Sequence, residues 1–231
     1  MRKGLVIFLI LLIGLVIAAD RIGLMVAQDE IAKNVATEYG LDHRPKVKIK
    51  GFPFLTQALN GHYDEIDVEV GDFTQLGVHL TGTVVTLKGV DAPLSDAMHG
   101  DSSHFVADTA VSTATVPYAD VDKNAPKGMK VSAKGKVLQV RGPVTVLGLR
   151  RTVTATVTIR ASGRNVRVLP QTVDAGGATI PVALVQQAFS FTMPVRGLPE
   201  NTRITDLKVL PEGLRVTTTG EHVNLESLNE H

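Results

Sequence analysis

Residues 4–19 form an uncharged stretch of sixteen residues, preceded by Arg2 and Lys3 and closed by Asp20 and Arg21. Apolar residues return at Leu24, Ala27, Ile31, Val35 and Tyr39. Spacings of three and four predict a helix from Arg21 to Tyr39 with one apolar stripe, stopped at Gly40. Past Pro45 the period changes to two. Val47 and Ile49 alternate with three lysines, a short strand with a polar face. Alternation continues through His62–Phe73, Leu76–Val90, Phe105–Val116, Met129–Val140, Val144–Leu147, Arg151–Arg160 and Val166–Leu169, with a slip of phase near Thr83–Val85 that predicts a bulge. Ala92–His99 and Pro117–Asp122 predict short helical turns. Ile180–Phe189 predicts a second helix, with Pro181 in its first turn. Arg203–Val209 and Leu214–Thr219 close the pattern as a hairpin around Pro211-Glu212-Gly213.

These elements predict an α+β fold: a long, curled, mainly antiparallel sheet wrapped around helices, preceded by an N-terminal apolar helix. Strands of 12–15 residues cannot stay flat, and a sheet curling over a helix makes a half-pipe with an apolar interior. Such an interior suits an acyl chain; the plainer reading of the same pattern is a filled core. The expected organisation is a membrane or signal segment at 1–27, one domain at 28–220 and a polar tail at 221–231.

The N-terminal run has the basic start and apolar body of a signal peptide, with Ile17-Ala18-Ala19 as an imperfect cleavage site. It is longer than the usual signal core, and apolar character resumes at Ile22–Ala27. An uncleaved anchor with its N-terminus in the cytoplasm is the favoured reading. Secretion after cleavage is the other, and both place the globular part outside the cytoplasmic membrane.

Composition narrows the chemistry. The chain has no cysteine, which removes disulfides, thiolate metal sites and cysteine nucleophiles. Its formal charge of +1 hides a strong asymmetry. Residues 123–167 carry eleven basic side chains and no acidic one, whereas residues 60–122 carry eleven acidic and one basic, Lys88. The basic block could meet anionic phospholipid headgroups; alternatively, acidic and basic strands could pair across the sheet and cancel. Nucleic acid is disfavoured as a partner, because the block lacks stacking aromatics and export removes that partner. No nucleophile elbow, phosphate-binding glycine loop or zinc-protease helix motif occurs. The polar loop from His99 to His104 matches no metal-ligand spacing. No cofactor is expected, and nothing in the sequence argues for an enzyme.

Several segments together resemble the LmeA-type phospholipid-binding family of actinobacterial cell-envelope proteins. They are the apolar N-terminus ending in Asp20-Arg21; Ile31-Ala32; Val47-x-Ile49-x-Gly51-Phe52-Pro53-Phe54-Leu55-Thr56-Gln57; Gly61-x-Tyr63-Asp64-x-Ile66; Gly89-Val90-x-x-Pro93-Leu94; Ala114-Thr115-Val116-Pro117-Tyr118; and Leu207-x-Val209-x-Pro211-x-Gly213-Leu214. The resemblance implies a tubular lipid-binding half-pipe and non-enzymatic binding or transfer of an anionic, phosphatidylinositol-type phospholipid in support of envelope lipoglycan assembly. On that reading Phe52, Phe54, Leu55, Val153, Val157, Leu184, Phe189 and Phe191 contact lipid. Lys123, Lys127, Arg150, Arg151 and Arg164 meet headgroups or the membrane surface. The alternative is a scaffolding envelope protein with a filled core and a protein or glycan partner. Phe52 and Phe54, framing Pro53, are expected either to plug the core or to close one end of the half-pipe and touch the bilayer.

Overall fold

The computed structural model describes residues 2–99, 103–146, 149–174, 186–187, 189–195, 197–199 and 201–226. Helix α1 runs unbroken from Arg2 to Glu38, so the apolar run continues directly into the amphipathic stripe as one helix. Short helices α2 (Phe54–Asn60), α3 (Leu94–His99) and α4 (Tyr118–Asn124) follow within the strand succession. The expected helix at Ile180–Phe189 falls mostly outside the described residues; Gln186, Gln187 and Phe189 are helical.

Among the described residues, eleven strands form two open sheets. The first has β1 (Lys46–Lys50), β2 (His62–Gln75), β3 (Val78–Asp91), β4 (Val106–Pro117), β10 (Thr202–Val209) and β11 (Gly213–Asn224), in the order β1-β2-β3-β4-β11-β10. The second is β5 (Lys130–Lys134), β6 (Val137–Val146), β7 (Leu149–Ser162), β8 (Asn165–Asp174) and β9 (Phe191–Pro194), in sequential order and antiparallel throughout. The class is thus α+β with mainly antiparallel sheets and an N-terminal apolar helix. The Cα positions gather into two compact units. One comprises Met1–Val70, Val85–Ala110 and Glu221–Glu230; the other comprises Gly71–Val84 and Val111–Gly220, with His231.

Several boundaries differ from the sequence reading, each for a local reason. Leu76 and Gly77 have positive φ (50° and 75°) and form the β2–β3 turn, so Leu76 is not a strand residue. The slip expected near Thr83–Val85 coincides with Gly82, at φ 59°, whose N–H donates to Asp72 Oδ1 at 2.8 Å. The break between β5 and β6 falls at Gly135 and not at Gly142. Gly142 stays inside β6, where a Cβ would lie 3.0 Å from Met129 and 3.6 Å from the Phe189 ring. Glu221–Asn224, expected in the tail, complete β11: Val223 is buried, and the Leu225 N–H donates to Phe105 O at 2.9 Å.

In the second unit the core is one apolar cluster. Leu138 and Val140 of β6, Val153, Ala155 and Val157 of β7, and Val166 and Val168 of β8 pack with Phe189, Met193, Ile204 and Leu214. The alternation in β7 explains this: its apolar residues face the cluster and its threonines face out. In the first unit the buried face of β1 and β2 is Val47, Ile49, Ile66, Val68 and Val70.

Candidate functional site

Three features are candidates: the first lies in the unit that holds α1, the second in the other, and the third, charge, is described in each unit by itself. The first is the knuckle from Gly51 to Gly61. Gly51 has φ 93°, and a Cβ there would collide with Gln57 and Asp64. The reason is a clamp: Gln57 donates from Nε2 to Lys50 O at 3.1 Å and accepts the Asp64 N–H at 2.9 Å. The Phe52–Pro53 peptide is cis. Gly61, left-handed at φ 66°, ends α2 by donating its N–H to Ala58 O, and its own carbonyl accepts the Ala92 N–H at 2.8 Å. The two phenylalanines separate completely. Phe54 is 5% exposed and packs on Tyr63 at 6.3 Å between ring centroids, whereas Phe52 is 65% exposed.

Helix α1 docks on this knuckle. Asp20 is 1% exposed, although it ends an otherwise apolar run. Its carboxylate accepts the Leu55 N–H at 2.8 Å and the Arg21 guanidinium at 2.5 Å. The same guanidinium lies 5.1 Å from the centre of the Phe52 ring, a cation–π contact. Gly23 lies at the contact: a Cβ there would meet Leu55 at 3.4 Å and Phe54 at 3.5 Å, ordinary van der Waals distances. Further along, Gln28 accepts the Ile49 N–H at 3.2 Å, and Asp29 pairs with Arg44 at 2.9 Å.

The second feature is the apolar cluster of the five-stranded sheet. Val153, Val157 and Phe189 are buried within it, and Phe191 is partly buried against it. Four of the expected lipid-contact residues therefore meet in one place; Leu184 lies outside the described residues. Phe52, Phe54 and Leu55 belong to the other unit. Tyr118 and Gly213 frame one side of the cluster's unit. The Tyr118 hydroxyl donates to Leu210 O at 2.7 Å, and a Cβ on Gly213 would strike Val116 O.

The third feature is charge. The acidic strand β2 is neutralised by β1, not by the basic block. Lys48 pairs with Glu69 at 2.8 Å and Lys50 with Asp67 at 2.7 Å; Lys50 also meets Glu65. These contacts hold the Glu65, Asp67 and Glu69 carboxyls below, and Lys48 and Lys50 above, their ordinary pKa values. Cancellation between acidic and basic blocks across one sheet does not occur: the basic strands pair with one another. Lys130 lies directly opposite Arg141, and Arg160 opposite Arg167. Both pairs are on the face turned away from the apolar cluster, because the alternate residues on their strands are buried. Like charges directly opposed across strands are destabilising. Lys130 is offset by Asp122 at 3.2 Å. Among the described residues, Lys127, Arg141, Arg150, Arg151, Arg160 and Arg167 have no ion-pair partner.

The five expected headgroup residues do not converge. The Arg150 guanidinium reaches the turn holding Lys127 and Gly128. Arg164 sits in the β7–β8 hairpin turn and donates to Leu198 O. Arg150 and Arg164 thus stand at opposite ends of β7, about 40 Å apart along a strand, so one headgroup cannot touch both. Lys123 is committed to a buried carboxylate, Asp120, at 2.5 Å. Asp120 also accepts the His79 backbone N–H at 3.1 Å and lies 2.9 Å from His79 Nδ1. The Lys123 ammonium first, and these His79 hydrogen bonds, hold the Asp120 carboxyl down to about 2. Sequence reasoning missed Asp20, Gln57 and Asp120 as organising residues. Only Asp20 gave a signal, as a lone acid closing an apolar run. Among the described residues, no group of three His, Asp or Glu side chains could hold a metal ion.

The model of the LmeA-like phospholipid-binding family matches residues 18–219. The chain belongs to that family. The match begins at the Asp20 latch and ends within β11, so both compact units lie mostly inside it. No curated protein and no solved structure matches the chain. The LmeA-like match supports phospholipid binding as the general activity. Within the matched range, the knuckle segment docks α1, and the Tyr118 and Gly213 segments meet each other.

Proposed function

We propose that this LmeA-like protein binds and passes on anionic phospholipid of the phosphatidylinositol type at the outer face of the plasma membrane, without catalysis, in support of envelope lipid assembly. The family match over residues 18–219 carries the reading. Two structural features support it. Leu5–Ile17 are exposed along α1, as suits a helix immersed in lipid rather than packed in a core. The outward face of the five-stranded sheet presents unpaired cations, each contributing on the order of 1 kcal/mol toward an anionic surface. Headgroups would be met by Lys127 with Arg150 and Arg151 at one end of β7, and by Arg164 at the other. Lys123 contributes charge while holding Asp120. Acyl chains would enter against Val153, Val157, Leu184, Phe189 and Phe191, with Phe52 and Leu55 serving the membrane side; Phe54, expected beside them, is buried against Tyr63 and holds the knuckle from within.

The scaffolding alternative has one observation in its favour: Val140, Ala155 and Phe189 are fully buried by neighbouring side chains, so this cluster is filled without lipid. The carrier reading therefore requires the Phe189 ring to part from β6 and β7 on uptake, with β9 staying paired to β8. Native mass spectrometry of the full chain, titrated with phosphatidylinositol and phosphatidylcholine in matched detergent, decides between them. A carrier retains phosphatidylinositol in preference to phosphatidylcholine. Retention of neither removes the carrier reading and leaves the scaffold.

A further inference from the structure

Charge and apolar exposure end at different places along α1. The sixteen residues from Gly4 to Ala19 span about 24 Å, short of the ~30 Å hydrocarbon core of a bilayer. Asp20 would end the apolar surface there if it faced outward. It does not, because the knuckle covers it: the Leu55 N–H and Arg21 occupy its carboxylate. Past Asp20 the exposed face of the helix is apolar again, at Ile22, Met25 and Val26. Arg21 apart, whose guanidinium folds onto Asp20 and Phe52, it becomes charged only at Asp29, Glu30 and Lys33. From Gly4 to Val26 the helix covers about 34 Å, enough to cross.

The element that covers Asp20 is itself apolar on its outside. Phe52 is 65% exposed and Leu59 77% exposed, and Leu55, one turn before Leu59 on α2, is exposed beside the helix. Exposed large apolar side chains grouped against the end of a membrane span mark an interfacial contact rather than scattered surface residues. Arg21, stacked on Phe52 and paired with Asp20, is the kind of side chain that reaches from the apolar edge to the headgroups.

We infer that the Phe52–Leu59 knuckle is a second membrane contact: Phe52, Leu55 and Leu59 enter the outer leaflet beside α1, and the covered Asp20–Arg21 pair lies within the interface. This rests on the reading of α1 as a retained anchor, and the test separates the two. The chain has no tryptophan, so a single introduced indole reports its own surroundings. Full-length Leu59→Trp, Phe52→Trp and Leu12→Trp are each reconstituted in phosphatidylcholine–phosphatidylglycerol vesicles, with and without phosphatidylcholine brominated near the top of its acyl chains. The inference expects blue-shifted emission from positions 59 and 52 that is lost on bromination and protected from aqueous iodide. If Leu12→Trp is shielded from iodide by the vesicles while positions 59 and 52 emit as in water and are quenched by iodide, the knuckle contact is overturned and the anchor stands. If Leu12→Trp also stays open to iodide, both fall.

Discussion

Replacing Phe54 by alanine removes the side chain on which α1, α2 and β2 converge. A phenylalanine buries roughly 200 Å² when fully covered, and Phe54 is 5% exposed. At about 25 cal/mol per Å² that burial amounts to ~4.8 kcal/mol. Compactness of the unfolded chain lowers it by roughly a quarter, to about 3.6 kcal/mol. Loss of the Tyr63 ring contact and the cavity left against Gly23 keep the total inside the ~3–5 kcal/mol span for Phe→Ala substitutions. For a chain of this size each kcal/mol lowers the melting temperature by about 2–4 °C, so Phe54→Ala should melt roughly 7–14 °C lower. Phe52→Ala is the matched control. It surrenders a ring that is only about one-third covered and a cation–π contact, about 1 kcal/mol together. Circular dichroism melts of the full chain in one detergent, followed at the strand signal, measure both. Equal shifts for the two variants, or a Phe54→Ala shift below about 3 °C, would show that Phe54 is no structural plug.

Three further outcomes follow from the geometry. Arg167→Glu turns a like-charge cross-strand pair with Arg160 into an opposite one. It should raise stability by about 0.5 kcal/mol in urea titrations while weakening binding to phosphatidylinositol-containing vesicles roughly fivefold in flotation assays; unchanged vesicle binding would detach this face from lipid. Asp120 titrates in the folded chain near 2 instead of 3.8, so its contribution is complete above pH 3.8 and is lost as pH falls toward 2. Asp120→Asn should therefore flatten the acid side of the stability curve in that window, and an unchanged curve would refute the ion-pair account. Gly142→Val should destabilise by about 1–3 kcal/mol through overpacking against Met129 and Phe189. Gly142→Ala should cost less, because the Met129 side chain can yield; thermal melts that rank them in the reverse order would argue against close packing there.

Local pattern made much of this legible. The period of α1, the alternation in β1, β2 and β7 and the Pro-led turns before α3 and α4 all depend on neighbours in sequence. What the pattern could not give is partnership between distant strands. β5–β9 form a sheet of their own, so the basic block meets itself, while β2 finds its counter-charges in three lysines fifteen or more residues upstream. Gly142 carried the composition of a break, yet it is a strand residue that makes room for a ring 47 positions away. Strand β9 has four residues, too few for alternation to register. Phe52 and Phe54 are alike in composition and spacing, and only the arrival of α1 decides which is buried. Asp20 stood out as a lone acid, but the amide it accepts lies 35 residues away.

The division of the chain between its units has a consequence for biosynthesis. The unit that holds α1 is assembled from the first seventy residues, an internal excursion and the last few. Its closing bonds, such as Leu225 N–H to Phe105 O, join residues made long after the knuckle. The other unit has all its strands by Gly220. During synthesis α1 and the knuckle it docks on are thus both made before β4 and β11 close the same unit. Removing residues 221–231 should accordingly raise amide hydrogen exchange in β1 and β2 while sparing β6–β8.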